Sequence, residues 1–224
     1  MLHYPSEWLH GASLGDRIAS ELRLHVIDGT IKAGEVISEN RVAAVFGTSR
    51  SPVREALKAL ANEGLIRLER MGAVVLGLSD EDLDELYDVR FLIESFAQQR
   101  LAAVDNGKLL EKLRQMIDKM ELAVKHEDMI AFSNLDFSFH EAIIIEAKHA
   151  RIQHLWKSIR QIVLTVMLIT TEEVFSQGAA KLSMVIDKHR KIVSGLETKD
   201  VNVIRNVVQD YFADSKVTLH SSLS

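Results

Sequence analysis

The stretch that most narrows the choice of fold is residues 47–65, GTSRSPVREALKALANEGL. Gly47 suits the positive φ at which an upstream helix ends. Ser51 is placed to cap the next helix, with Pro52 at its first position, where a missing N–H costs nothing. Val53, Leu57, Leu60 and Leu65 then recur at helical spacing, with Ala56 and Ala61 beside them. Arg50 and Arg54 sit at the N-terminal end, off that stripe, together with the Ser49 and Ser51 hydroxyls. A helix start already favours negative charge through its free N–H groups and its dipole. Two arginines added there suit an anionic partner better than a protein core.

The flanks extend the pattern. Ser13 and Asp16 have capping-box spacing and open a helix with Leu14, Ile18, Leu22 and Val26 on one face, closed by Gly29. TIKAGEVI reads as a loop leading to Ser38, the N-cap of a short helix, ENRVAAVF. After Gly64 the period becomes strand-like: LIRLE, a turn at Arg70-Met71-Gly72, then AVVLGL, which together read as a hairpin. Helix, helix–turn–helix and hairpin predict a winged helix-turn-helix domain over residues 13–78. Residues 1–12 form an arm, with Tyr4 and Trp8 placed to dock on a neighbour. From Ser79, which has capping-box spacing with Asp82, the chain turns all-helical. Asn106-Gly107 ends the first helix, and others are expected over 108–125, 128–147, 150–171, 181–196 and 201–220, with 172–180 as a connection. Residues 79–224 thus predict an antiparallel helical bundle, and the whole chain is mainly α.

Charge limits how an anion could be recognised. The net charge is −5, yet residues 1–78 carry nine Lys/Arg against nine Asp/Glu. Binding there needs clustered arginines rather than a basic field. The chain has no cysteine, which excludes disulfides and thiolate metal sites. The longest apolar stretch, Ile159–Thr171, is broken by Arg160 and Gln161 and is too short to span a bilayer. The N-terminal residues lack the basic start and apolar core of a signal peptide. A cytoplasmic protein without a membrane partner is expected.

Residues 14–78 resemble the DNA-binding domain of the GntR family of bacterial transcription regulators. The carriers are IASELRLHVIDGTIKAGEVISENRVAAVFGTSRSPVREALKALANEGLI and RMGAVVLGLS, with SRSPVREAL the most specific part. Ala33 stands where the family usually has proline, and Asn40 stands where many members have a DNA-contacting arginine, with Arg41 next to it. The second half resembles the FCD ligand-binding domain of the FadR-type subfamily, through LYDVRFLIE, DFSFH at 136–140 and DKHRKIVSGLETKD.

The resemblance implies double-stranded DNA as partner, with Arg50 and Arg54 reading base edges. An arginine can fork two hydrogen bonds to guanine. Ser49 and Ser51 would hold phosphates, with Asn40 and Arg41 nearby. Gly72, at the hairpin tip, allows close backbone approach to the duplex or serves a tight turn. Glu55 is placed to pair with an arginine.

In the second half, Asp136 and His140 share a helical face at i, i+4 spacing, and His189 comes from another helix. The resemblance implies that these three are ligands of a divalent metal such as zinc, nickel or manganese. The family's last histidine falls at position 211, which here is tyrosine. Two readings stay open. Three side chains plus water or an effector carboxylate complete the site, or the metal is lost and the polar residues bind the effector directly. Arg90, Arg160 and Tyr211 are the candidate effector contacts. Arg90 has Glu94 as an alternative partner at i+4, and Arg160 interrupts an apolar helix and so requires a partner or a ligand. The resemblance further implies a homodimeric, non-enzymatic repressor. It would sit on a near-palindromic operator and be released by a small-molecule effector, a carboxylate by preference.

Overall fold

A computed structural model of the chain describes residues 2–70 and 72–223, the last three of these by backbone alone. The chain divides into two compact units, Met1–Asp82 and Leu83–Ser224.

The first unit begins with a 3-10 turn, Ser6–Leu9, and α1 (Leu14–Ile27). The predicted arm is therefore partly structured. Tyr4 is buried, its ring edge-on to Trp8 at 5.7 Å, and its N–H donates to Glu21 Oε2 on α1 at 3.2 Å. The capping box opening α1 is present, with Asp16 N–H donating to Ser13 Oγ and Ser13 N–H to Asp16 Oδ2. Ile18, Leu22 and Val26 are buried, while Leu14, at the helix tip, stays exposed.

After β1 (Val36–Ile37) come α2 (Glu39–Val45), α3 (Arg50–Asn62), β2 (Ile66–Glu69) and β3 (Gly72–Val75). The strands form an antiparallel sheet in the order β1-β3-β2. β1 corrects the sequence reading of TIKAGEVI as loop. Val36 pairs with Val74 and Ile37 with Ala73, and a two-residue strand is too short to show alternation. Ser49, not Ser51, is the N-cap of α3, which starts at Arg50. Pro52 sits inside the first turn, still among the N–H groups that have no partner in the helix, so the earlier start is tolerated. Of the predicted hairpin turn, Met71 lies outside the described residues. Gly72 has a second constraint besides its turn: at its φ of 146°, a Cβ would stand 2.5 Å from the Ile37 carbonyl oxygen. Val53, Leu57, Leu60 and Leu65 are all buried, as their spacing requires.

The second unit holds α4 (Asp80–Leu101), α5 (Gly107–Lys125), α6 (Met129–Glu146), α7 (Ala150–Ser176), α8 (Ala179–Thr198) and α9 (Val201–Leu223). The helix α4 starts within the first unit, opened by the Ser79–Asp82 capping pair. α6 buries more than half of its circumference, including Phe132, Phe137, Phe139 and Ile144, and leaves Asn134 and Ile145 exposed on the remaining side. α7 runs five residues past the expected stop at 171. Val174 is buried and Phe175 packs edge-on to Phe132 at 5.5 Å, so tertiary contacts hold the last turn until Gly178. Among the described residues no helix is long and apolar enough to cross a membrane.

Candidate functional site

In the first unit, α3 buries its apolar stripe and turns Arg50, Ser51 and Arg54 outward, with Ser49 capping it. Asn40 and Arg41 on α2 are also exposed. Arg50 and Arg54 flank that stripe rather than oppose it, each three residues ahead of a stripe residue, and stay exposed because Arg50 lies in the first turn and Arg54 at the stripe's edge. Arg54 Nε donates to both carboxylate oxygens of Glu39, at 3.0 and 2.9 Å. Glu55 has no ion-pair partner among the described residues. The acid beside Arg54 is therefore Glu39, at the start of α2. This exposed group of guanidinium and hydroxyl groups suits a phosphate backbone with base edges behind it.

The second unit carries a buried polar cluster drawn from four helices. Arg90 and Glu94 lie one turn apart on α4, Asp136 and His140 one turn apart on α6, His189 on α8 and Tyr211 on α9. All six are buried. Arg90 Nε donates to Glu94 Oε1 at 2.6 Å, and Glu94 Oε2 lies 2.5 Å from His140 Nδ1. The other nitrogen of His140, Nε2, meets the Tyr211 hydroxyl at 2.8 Å and stands 3.5 Å from Asp136 Oδ1. His189 Nε2 lies 2.9 Å from the same Asp136 oxygen, and its Nδ1 lies 2.8 Å from the Val185 carbonyl oxygen.

Hydrogen-bond accounting fixes most of the protons. A carbonyl only accepts, so His189 Nδ1 donates to Val185. Its Nε2 would then turn a lone pair toward a carboxylate unless a cation, a proton or a metal ion, stands between them. Glu94, ionised beside Arg90, accepts from His140 Nδ1, which leaves Nε2 of the neutral ring to accept from the Tyr211 hydroxyl; the protonated ring would donate there instead. Burial alone would push Glu94 up, but Arg90 and His140 hold it below the usual carboxylate range. Asp136 behaves the same way: burial opposes its charge, and His189 and His140 hold it well below the usual range. For His140 burial works downward, and the Glu94 carboxylate outweighs it and raises the imidazole. Burial, and then Asp136, push the Tyr211 phenol well above its ordinary value, so it is a neutral donor.

The ligand-capable atoms of Asp136, His140 and His189 all lie within 4.8 Å of one another. Two imidazoles and a carboxylate fit a divalent metal, and each Nδ1 is already held by an acceptor, the arrangement that aims Nε2 at an ion. Tyr211 departs from that set. Its hydroxyl occupies the lone pair on His140 that an ion would use.

A cavity of about 50 Å³ adjoins the cluster, lined among others by Arg90, Asp136, Tyr211, Lys188, Thr170 and Ser215. Arg90 Nη2 is buried and has no acceptor among the described residues. Burial lowers the Lys188 ammonium from its ordinary value, and Asp214 Oδ2, 3.6 Å away, opposes that. The Thr170 and Ser215 hydroxyls donate to the carbonyls of Met167 and Tyr211, which leaves their lone pairs for donors in the cavity. Arg160 is not brought here. It forks onto Glu141 at 2.6 and 2.9 Å and stacks 4.8 Å over the Phe137 ring, so its required partner is Glu141. Sequence reasoning missed Glu94 as the acceptor that orients His140, and it missed Lys188. The signals available were an acid one turn after Arg90 and a lysine adjoining His189.

Residues 14–76 match the model of the family described as bacterial regulatory proteins, gntR family, and residues 85–214 match the FCD domain. The chain is 39% identical over 213 residues to the gluconate operon transcriptional repressor of Bacillus subtilis (strain 168), covering 95% of this chain and 88% of the relative. It is 37% identical, over the same shares, to the protein of that name from Bacillus licheniformis. Among solved structures it is similar in fold to E. coli McbR/YncC, with a TM-score of 0.69 at 21% identity over 95% of this chain and 100% of that one.

Proposed function

The chain belongs to the gntR family of bacterial regulatory proteins and carries an FCD domain, and from that premise we propose that it is a cytoplasmic, homodimeric repressor released by a sugar acid. It is a DNA-binding transcription regulator, not an enzyme, and a small molecule held in its helical domain modulates its hold on an operator. The finer reading concerns which molecule, through which residues, and in what assembly.

The observation that carries the effector class is Arg90. A buried guanidinium with one N–H group lacking an acceptor, at the wall of a cavity, leaves a position for a carboxylate. Lys188 supplies a second cation there, and the Thr170 and Ser215 lone pairs suit the hydroxyls of a polyol chain. Gluconate, named in the similar repressors, has both parts. A cavity of about 50 Å³ holds a water or two, so a six-carbon acid enters only as side chains shift. That requirement supports an effector with different affinities for two arrangements of the bundle, the condition for changing DNA affinity. A metal held by Asp136, His140 and His189 would supply a Lewis-acidic anchor for the same carboxylate. Without it, Arg90 and Lys188 hold the acid alone.

For DNA, the reading assigns Arg50 and Arg54 to base edges, with Ser49, Ser51, Asn40 and Arg41 near phosphates. Two such units in a dimer would match a near-palindromic operator. Support for dimerisation comes from α4, where Val89, Leu92 and Phe96 are exposed along one face.

The test is operator binding, followed by fluorescence anisotropy on a site selected from random duplexes, with and without gluconate. Gluconate at saturation should weaken binding tenfold or more, as a coupling of about 1.4 kcal/mol gives. Arg90→Met should abolish the response while the operator affinity without effector stays near wild type. Unchanged binding in the presence of gluconate and other aldonic acids would reject the effector class.

A further inference from the structure

Away from both sites above, three metal-capable side chains meet where the N-terminal segment crosses α1. We propose that His3, Glu21 and His25 form a second site for a divalent transition metal of the zinc class, which fastens the N-terminal segment onto α1.

Glu21 and His25 share a face of α1 at i, i+4 spacing. His3 is delivered to them by the chain ahead of α1, because the buried Tyr4 ring anchors that segment and its N–H donates to Glu21 Oε2 at 3.2 Å. That bond uses one carboxylate oxygen and fixes the direction of the other. Glu21 Oε1 then faces both imidazoles, 3.1 Å from His3 Nδ1 and 3.6 Å from His25 Nε2. All three ligand atoms lie within 4.8 Å of one another.

A hydrogen bond accounts for the His3–Glu21 contact but not for the position of His25. At 3.6 Å the His25–Glu21 contact is too long for a hydrogen bond, and His25 Nε2 is buried with no hydrogen-bond partner among the described residues. A buried polar atom left unsatisfied is costly, and an ion between the three groups would satisfy it. The separations also suit one. Zinc–ligand bonds of about 2.0–2.1 Å at tetrahedral angles put neighbouring ligand atoms roughly 3.3 Å apart. The two separations from Glu21 Oε1 straddle that value. Two histidines and one glutamate leave a fourth position, and the His3 side chain, 73% exposed, leaves it open to water.

The consequence lies in the DNA-binding unit. With the ion, the segment ahead of α1 is tied at His3 as well as at Tyr4. Without it, that end is held by the Tyr4 contacts and the single His3–Glu21 hydrogen bond. The site shares no residue with the bundle cluster, so its occupancy is independent of any effector chemistry there.

The test is titration of the full chain with Co²⁺ alone, read by the visible absorption of the bound ion. His3→Gln changes an exposed side chain and leaves the folded core untouched. Asp136→Asn weakens the bundle cluster and separates the two sites. His3→Gln should bind about one equivalent less than its parent, in the wild-type and Asp136→Asn backgrounds alike. Zn²⁺ should also slow proteolysis ahead of α1 in the parent and not in His3→Gln. Coincident Co²⁺ titration curves for parent and His3→Gln would overturn the site, even if Asp136→Asn lowers the total. A loss confined to Asp136→Asn would place all metal binding in the bundle.

Discussion

Glu94→Gln isolates the charge on which the bundle cluster depends. The substitution keeps the shape and one acceptor oxygen but leaves two cation-capable groups, Arg90 and His140, without their shared counterion. Glu94 is fully buried, with hydrogen bonds of 2.6 Å to Arg90 and 2.5 Å to His140. Removing one member of a buried ion pair costs about 3–5 kcal/mol. The amide oxygen still accepts from Arg90, and Asp136 supplies a more distant negative charge, so the lower end, about 3 kcal/mol, is expected. For a unit of this size each kcal/mol moves the midpoint by roughly 2–4 °C, so the transition should fall by about 6–12 °C.

The pH profile gives a second readout, taken with chelator present so that no metal contributes. Glu94 and Asp136 are depressed in the folded chain, so their contribution is present above the unfolded carboxylate range and is lost as pH falls through the folded values. His140 is raised, so its contribution is full below its ordinary value of 6.5 and is lost as pH rises through the folded one. Wild type should therefore weaken at both ends. Glu94→Gln should flatten the alkaline side, because the carboxylate that raises His140 is gone. Thermal melts followed by circular dichroism between about pH 2 and pH 9 measure both effects. A midpoint within about 2 °C of wild type at pH 7 would mean that Arg90 and His140 do not depend on Glu94.

Other outcomes follow from the DNA-binding unit. Arg50→Ala and Arg54→Ala should each weaken operator binding by about 1–3 kcal/mol and relax base preference at one position, measured by anisotropy on single-base operator variants. Equal binding by both variants would remove α3 from base reading. Glu39→Gln frees Arg54 from its carboxylate and should tighten binding to arbitrary DNA, by no more than about 1 kcal/mol since the pair is exposed. Gly72→Ala drives a methyl group into the Ile37 carbonyl oxygen and should lower the stability of the first unit by about 1–3 kcal/mol, read by urea denaturation.

How far the sequence revealed this depended on whether the pattern was local. The α3 stripe and both capping boxes came straight from residue spacing, since each signal and its partner lie within one or two helical turns. β1 was hidden because its partner strand is far along the chain and two residues carry no periodicity. The end of α7 was hidden because Val174 and Phe175 hold it through contacts with other helices. In the bundle, the i, i+4 pairing of Asp136 with His140 was legible, as was the distinctness of His189. The role of Glu94 toward His140 was not, because it joins α4 to α6 and nothing in either segment alone points across. The partner of Arg160 was likewise undetermined until Glu141 was brought beside it.

Tyr211 ties the metal question to the effector question. As a neutral donor on His140 Nε2, it satisfies the imidazole in the absence of a metal, which a histidine at 211 would do only in the right tautomer. An ion bound by Asp136, His140 and His189 would have to displace that hydrogen bond, and the freed phenol lines the same cavity as Arg90. The phenol could then donate to an anion held by Arg90. On this account the tyrosine does not simply delete a ligand. A metal and an effector bound there would compete for, or cooperate through, a single hydroxyl, and the direction would follow from which partner that hydroxyl leaves.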